Sequence, residues 1–66
     1  MTTVEALQQA RRRWGEAGHA QREPGAPEVG RFRVGERVAD VFIVRGVGQS
    51  WEEAFRAADE EARKPP

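Results

Sequence analysis

A chain of 66 residues without a single cysteine has one small core and neither disulfides nor thiolate metal sites to brace it. Its eleven basic and eleven acidic residues cancel, unlike the basic excess of dedicated nucleic-acid binders. No apolar run approaches the roughly 20 residues of a membrane span, and the N-terminus lacks the basic-then-apolar pattern of a signal peptide, so a cytoplasmic protein with no membrane partner is expected.

The first segment, Met1 to Glu16, predicts a helix. Thr2 or Thr3 can cap it, and Glu5 three places after Thr2 fits a capping box. Val4, Leu7, Ala10 and Trp14 share one helical stripe, widened by Ala6, and Gly15 and Gly18 end the helix. His19 to Glu23 is short and polar, suiting an exposed edge strand, and Pro24-Gly25-Ala26-Pro27 has the composition of a turn.

Val29 to Val34 alternates with period two, placing Phe32 and Val34 on one face and Arg31 and Arg33 on the other. Gly35-Glu36 fits a two-residue hairpin turn with glycine first, which makes Arg37 to Val47 the third strand. That strand is apolar on both faces around Val41 to Val44, as a central strand would be, yet a meander puts it at an edge. One assignment turns Phe42 and Val44 toward the helices and leaves Val41 and Ile43 on the open face, near Arg31, Arg33 and Arg45. An apolar patch rimmed by charge marks an association surface; the alternative is that a helix end or the N-terminal segment covers it.

Ser50-Trp51-Glu52-Glu53 opens the second helix with an N-cap serine and a glutamate at its third position. Glu52 and Glu53 sit where the helix dipole favours negative charge, Arg63 and Lys64 where it favours positive. Trp51, Ala54, Phe55, Ala58 and Ala62 form one apolar face, and Glu52–Arg56, Asp59–Arg63 and Glu60–Lys64 have the i, i+4 spacing of ion pairs. Pro65 and Pro66 end the helix.

Catalytic chemistry finds little purchase. Ser50 is committed as a cap, His19 is the only histidine, and a nucleophile–base pair would need the two to meet. Adjacent carboxylates such as Glu52–Glu53 and Glu60–Glu61 point in different directions from a helix. Gly46-Val47-Gly48-Gln49-Ser50 lacks both the third glycine of the dinucleotide fingerprint and the lysine of the phosphate-binding loop, and acidic residues follow it. No catalytic, metal or cofactor residue is therefore assigned, and a non-enzymatic binding module is expected. Arg11, Arg12 and Arg13 spread around most of one helical turn, so at most two can face a common ligand. With Arg31, Arg33 and Arg45 they form the alternative, nucleic-acid-binding surface.

The predicted order of elements resembles that of double-stranded-RNA-binding domains. Thr3-Val4-Glu5-Ala6-Leu7 with Arg13-Trp14-Gly15 looks like that family's first helix and its exit. Arg45-Gly46-Val47-Gly48-Gln49-Ser50, then Glu53-Ala54 and Ala57-Ala58, looks like its last strand and second helix. The resemblance implies lysines at the start of that helix to grip phosphates; Glu52, Glu53 and Phe55 stand there instead. Residues 19–64 also resemble HicB-type antitoxin domains through Gly46-Val47-Gly48-Gln49-Ser50-Trp51-Glu52-Glu53-Ala54, which implies neutralisation of a partner protein and self-association.

The sequence thus predicts one α+β domain over residues 1–66, of order α-β-β-β-α, a three-stranded antiparallel meander with both helices on one face. Its expected role is protein–protein association, with itself or a partner, on a surface formed by Arg31, Arg33, Val41, Ile43 and Arg45.

Overall fold

The computed structural model describes residues 1–64 and has the expected α-β-β-β-α order. The prolines predicted to stop the last helix, Pro65 and Pro66, lie outside the described residues. Helix α1 spans Thr3–Trp14 and helix α2 spans Trp51–Arg63. The strands β1 (Gly18–Arg22), β2 (Phe32–Val38) and β3 (Val41–Gly48) form one antiparallel sheet in the order β1-β2-β3. Both outer strands are therefore edges.

Local rules account for the helices. Thr2 caps α1 in a complete box, its hydroxyl accepting from the Glu5 N–H while the Thr2 N–H donates to the Glu5 carboxylate at 2.9 Å. Ser50 caps α2, accepting from the Glu53 N–H at 3.1 Å. Gly15 ends α1 at φ +70°, in the left-handed region that costs glycine little, and a 3-10 turn over Gly15–Ala17 leads into β1.

Small residues set the packing. The buried core is Ala6, Ala10, Ala20, Val34, Trp51, Ala54, Phe55 and Ala58, with Trp14 and Phe32 packed against it. Alanines and glycines let the helices approach the sheet closely. A Cβ on Gly18 would strike the backbone of Ala10, and one on Gly46 would strike the Ala54 carbonyl and sit 2.6 Å from the Ala58 nitrogen. The aromatics fill what remains: Phe32 meets Trp51 edge-on at 4.8 Å, and Trp14 stacks on Phe55 at 6.4 Å.

This close approach corrects the predicted stripe of α1. Val4 alone leaves it, being 65% exposed, while the predicted Ala6 and Ala10 are buried and Leu7 and Trp14 are half-buried. Ala6 and Ala10 are the fully buried positions of that face, and the Ala10 backbone lies against Gly18.

The hairpin also differs. Gly35-Glu36 lies inside β2, and the turn is Ala39-Asp40, both residues at positive φ (50° and 67°) between the paired Val38 and Val41. Positive φ at both central positions defines a two-residue type I′ turn, whose twist matches its strands. Gly35 serves the sheet: a Cβ there would press on the Ile43 carbonyl and lie 2.8 Å from the Arg45 nitrogen. The ladder shifts at that point, Val34 pairing with Gly46 but Gly35 with Val44, so Arg45 is an extra, bulged residue in β3. Val29, predicted to begin the second strand, lies in a 3-10 turn over Glu28–Gly30.

Candidate interaction surface

Directly opposed residues of an antiparallel ladder share a face, so the register assigns the open side of the sheet. Ala20 and Val34 are buried toward the helices, which places Gln21, Arg33 and Val47 in one row on the open side. His19, Gly35 and Val44 form the next row, and Arg37 and Phe42 the third. Contact agrees with register. The Phe42 ring meets His19 edge-on at 4.9 Å across side-chain-free Gly35.

The predicted assignment of β3 is therefore inverted before the bulge. Phe42 and Val44 lie on the open face, and Val41 and Ile43 alternate to the side carrying the helices. The cause is the bulge. Arg45 takes up one residue, so Gly46 and Gly48 can face α2 while the four residues before them run in the opposite phase.

Val41 and Ile43 nevertheless remain exposed, at 61% and 39%, because α2 covers only the inner half of β3. Its last turn, including the predicted core residue Ala62, is itself exposed. Val38, 50% exposed, joins Val41 across the turn. Among the described residues, five of the seven exposed large apolar side chains lie on β3 or at the tip of this hairpin: Val38, Val41, Ile43, Val44 and Val47. One strand thus shows apolar side chains to solvent on both faces and has no neighbour along its outer edge.

The arginines do not gather into one surface. Arg31 precedes β2 and is half-buried, its Nε shielded from solvent without a hydrogen-bond partner. Arg33, on the open face, donates from Nε to the Gly30 carbonyl at 3.0 Å. Arg45 is held by Glu36, its Nη2 lying 2.7 Å from the carboxylate. Of the predicted association set, only Val41, Ile43 and Arg45 lie together on β3.

In the alternative basic set, Arg13 turns into the groove between the helices. It donates to both oxygens of Asp59 at 3.2 and 3.0 Å, to Gln9 at 3.3 Å, and its guanidinium lies 4.6 Å from the centre of the Phe55 ring. These hydrogen bonds hold the Asp59 carboxyl below its usual range, with the Arg13 and Arg63 charges acting in the same direction. The capping-box hydrogen bonds from Thr2 do the same for Glu5. Arg11 and Arg12 stay exposed on α1, across the sheet from Arg33.

The predicted i, i+4 ion pairs on α2 give way to other partners. Asp59 takes Arg13, Glu52 lies 3.6 Å from the Met1 amino group, and Lys64 pairs with Glu61 at 3.2 Å. On β1, His19 and Gln21 are joined at 3.3 Å, and Gln21 donates to Glu23. Among the described residues no three His, Asp or Glu side chains gather as a metal site would require, and no helix is long and apolar enough to cross a membrane. No protein-family model, curated protein or solved structure matches the chain.

Proposed function

We propose that the protein is a non-enzymatic binding module that works by protein–protein association through the outer edge of β3. The observation that carries this reading is the concentration of exposed apolar side chains on both faces of one edge strand. Such an edge accepts another extended chain: the backbone supplies hydrogen bonds, and alternate side chains supply contact on each face. The core adds a reason. It consists largely of alanines, and a single core in a chain this short rarely supplies more than about 3–5 kcal/mol. Partner neutralisation of the antitoxin kind is one form this association takes.

The element order favours a second reading as a nucleic-acid binder of the double-stranded-RNA-binding type. Charge weighs against it, since Glu52 and Glu53 open α2 and Arg13 is engaged by Asp59. Salt separates the two readings. Phosphate contacts weaken steeply as salt rises, whereas an apolar strand edge does not depend on counterion release. The test is a titration with duplex RNA and DNA at increasing salt beside a light-scattering mass. Val41→Lys and Ile43→Lys are expected to reduce association while the circular dichroism spectrum stays unchanged. A monomeric mass with salt-sensitive duplex binding would overturn the reading.

A further inference from the structure

We infer that the partner which fits the β3 edge is a second copy of this chain, paired antiparallel through β3 about a two-fold axis at Phe42. The inference rests on the association reading and specifies its partner and register. Three observations converge on it.

The backbone comes first. In a two-residue hairpin the residues flanking the turn, here Val38 and Val41, form a hydrogen-bonded pair. Alternation then directs the N–H and C=O of Phe42 outward, away from β2. The bulge sets the available length, because only Val41–Val44 run straight before Arg45 breaks the ladder. No proline or lysine blunts that stretch.

The side chains come next. An axis at Phe42 places Val41 of each chain opposite Ile43 of the other, twice by symmetry, on the helix-bearing face. Phe42 meets Phe42 on the open face. Val41, Phe42 and Ile43 of each chain thus meet apolar partners on the other, while Asp40 of the second copy falls opposite Val44 at the end of the straight stretch. Moving the axis one residue to Ile43 would set Val41 against Arg45 instead.

The topology completes the case. An axis perpendicular to the sheet keeps the helices of both copies on one face. The product is a continuous six-stranded sheet with β1 at each end, and β1 is the strand with polar His19, Gln21 and Arg22. The apolar edge is closed and the polar edges remain, so the assembly stops at two chains.

The test needs no mutation to begin. In the wild-type protein, sedimentation should show the mass rising from one chain toward two with concentration. Exchange of the Phe42 amide, unpaired in the monomer, should slow in step. Because the chain has no cysteine, Phe42→Cys provides a register marker. Opposed residues of a hydrogen-bonded antiparallel pair have Cα atoms about 5.5 Å apart, within disulfide reach. The variant should oxidise to a covalent dimer, and Val4→Cys, on exposed α1, should not. A mass of one chain at every concentration overturns self-pairing and leaves association with a strand of another protein standing. A doubled mass that survives Val41→Lys, with the Phe42 amide unprotected, overturns both this pairing and the placement of association on the β3 edge.

Discussion

Substituting Gly46 by alanine tests the close approach of α2 to β3. Gly46 lies under α2, and a methyl group there would collide with the Ala54 carbonyl and sit 2.6 Å from the Ala58 nitrogen and 2.9 Å from the Ala58 Cβ. Comfortable contacts between such atoms lie near 3.5 Å, so α2 must retreat by roughly an ångström. The atoms in the way are mostly helix backbone, with no flexible side chain to swing aside. A retreat would also loosen Trp51 and Phe55, which α2 carries into the core. Overpacking of this kind costs about 1–3 kcal/mol, and the rigid neighbours place Gly46→Ala near the upper end. A loss of about 3 kcal/mol raises the unfolded-to-folded ratio roughly a hundredfold, most of what a core this size provides. Urea unfolding followed by circular dichroism measures it, with Gly25→Ala as control because nothing lies within 4 Å of a Cβ there. If Gly46→Ala unfolds within about 0.5 kcal/mol of wild type, the range of an ordinary surface substitution, the close helix–strand approach is not what holds α2.

Three further outcomes are expected. Changing the turn to Asn-Gly, by Ala39→Asn with Asp40→Gly, should raise stability by about 1 kcal/mol in thermal unfolding, because both positions have positive φ. Arg13→Ala should lower stability by roughly 1 kcal/mol, through the lost Asp59 pair and Phe55 stacking, while Arg11→Ala and Arg12→Ala should change urea midpoints little. Because the folded pKa of Asp59 is depressed, its contribution is full above the ordinary carboxylate range and is lost as pH falls through the lowered value. The stability difference between wild type and Asp59→Asn, measured by urea unfolding from neutral to acid pH, should therefore shrink below about pH 4.

What the sequence revealed about this fold follows from how local each rule is. Both helices were legible because a threonine or serine cap, a glutamate three places on and an apolar face all act within a few residues. The order α-β-β-β-α followed from them. The hairpin was misplaced because Gly35 offered the residue type a turn prefers, whereas its work is to let β3 approach closely. The true turn, Ala39-Asp40, carries no glycine at all. The faces of β3 were inverted for a related reason: an arginine in a bulge looks like any other strand arginine, and only the pairing with β2 reveals the extra residue. Val4 was assigned to the core by periodicity, which identifies a helix's apolar side but not how near the sheet will let it come. As for the candidate surface, the apolar character of Val41 to Val44 was plain in the sequence. That the arginines scatter to separate faces was not, since it depends on tertiary placement.

The bulge at Arg45 gives one strand two phases. Downstream of it, the positions facing α2 are Gly46 and Gly48, where even a methyl group is refused. Upstream, Val41 to Val44 are free of that constraint, and their side chains can change without disturbing the core. Sequence drift among descendants of such a chain would be partitioned accordingly: fixed glycines on one side of Arg45, and a variable tip on the other. Binding preference could diversify there while the fold stayed constant.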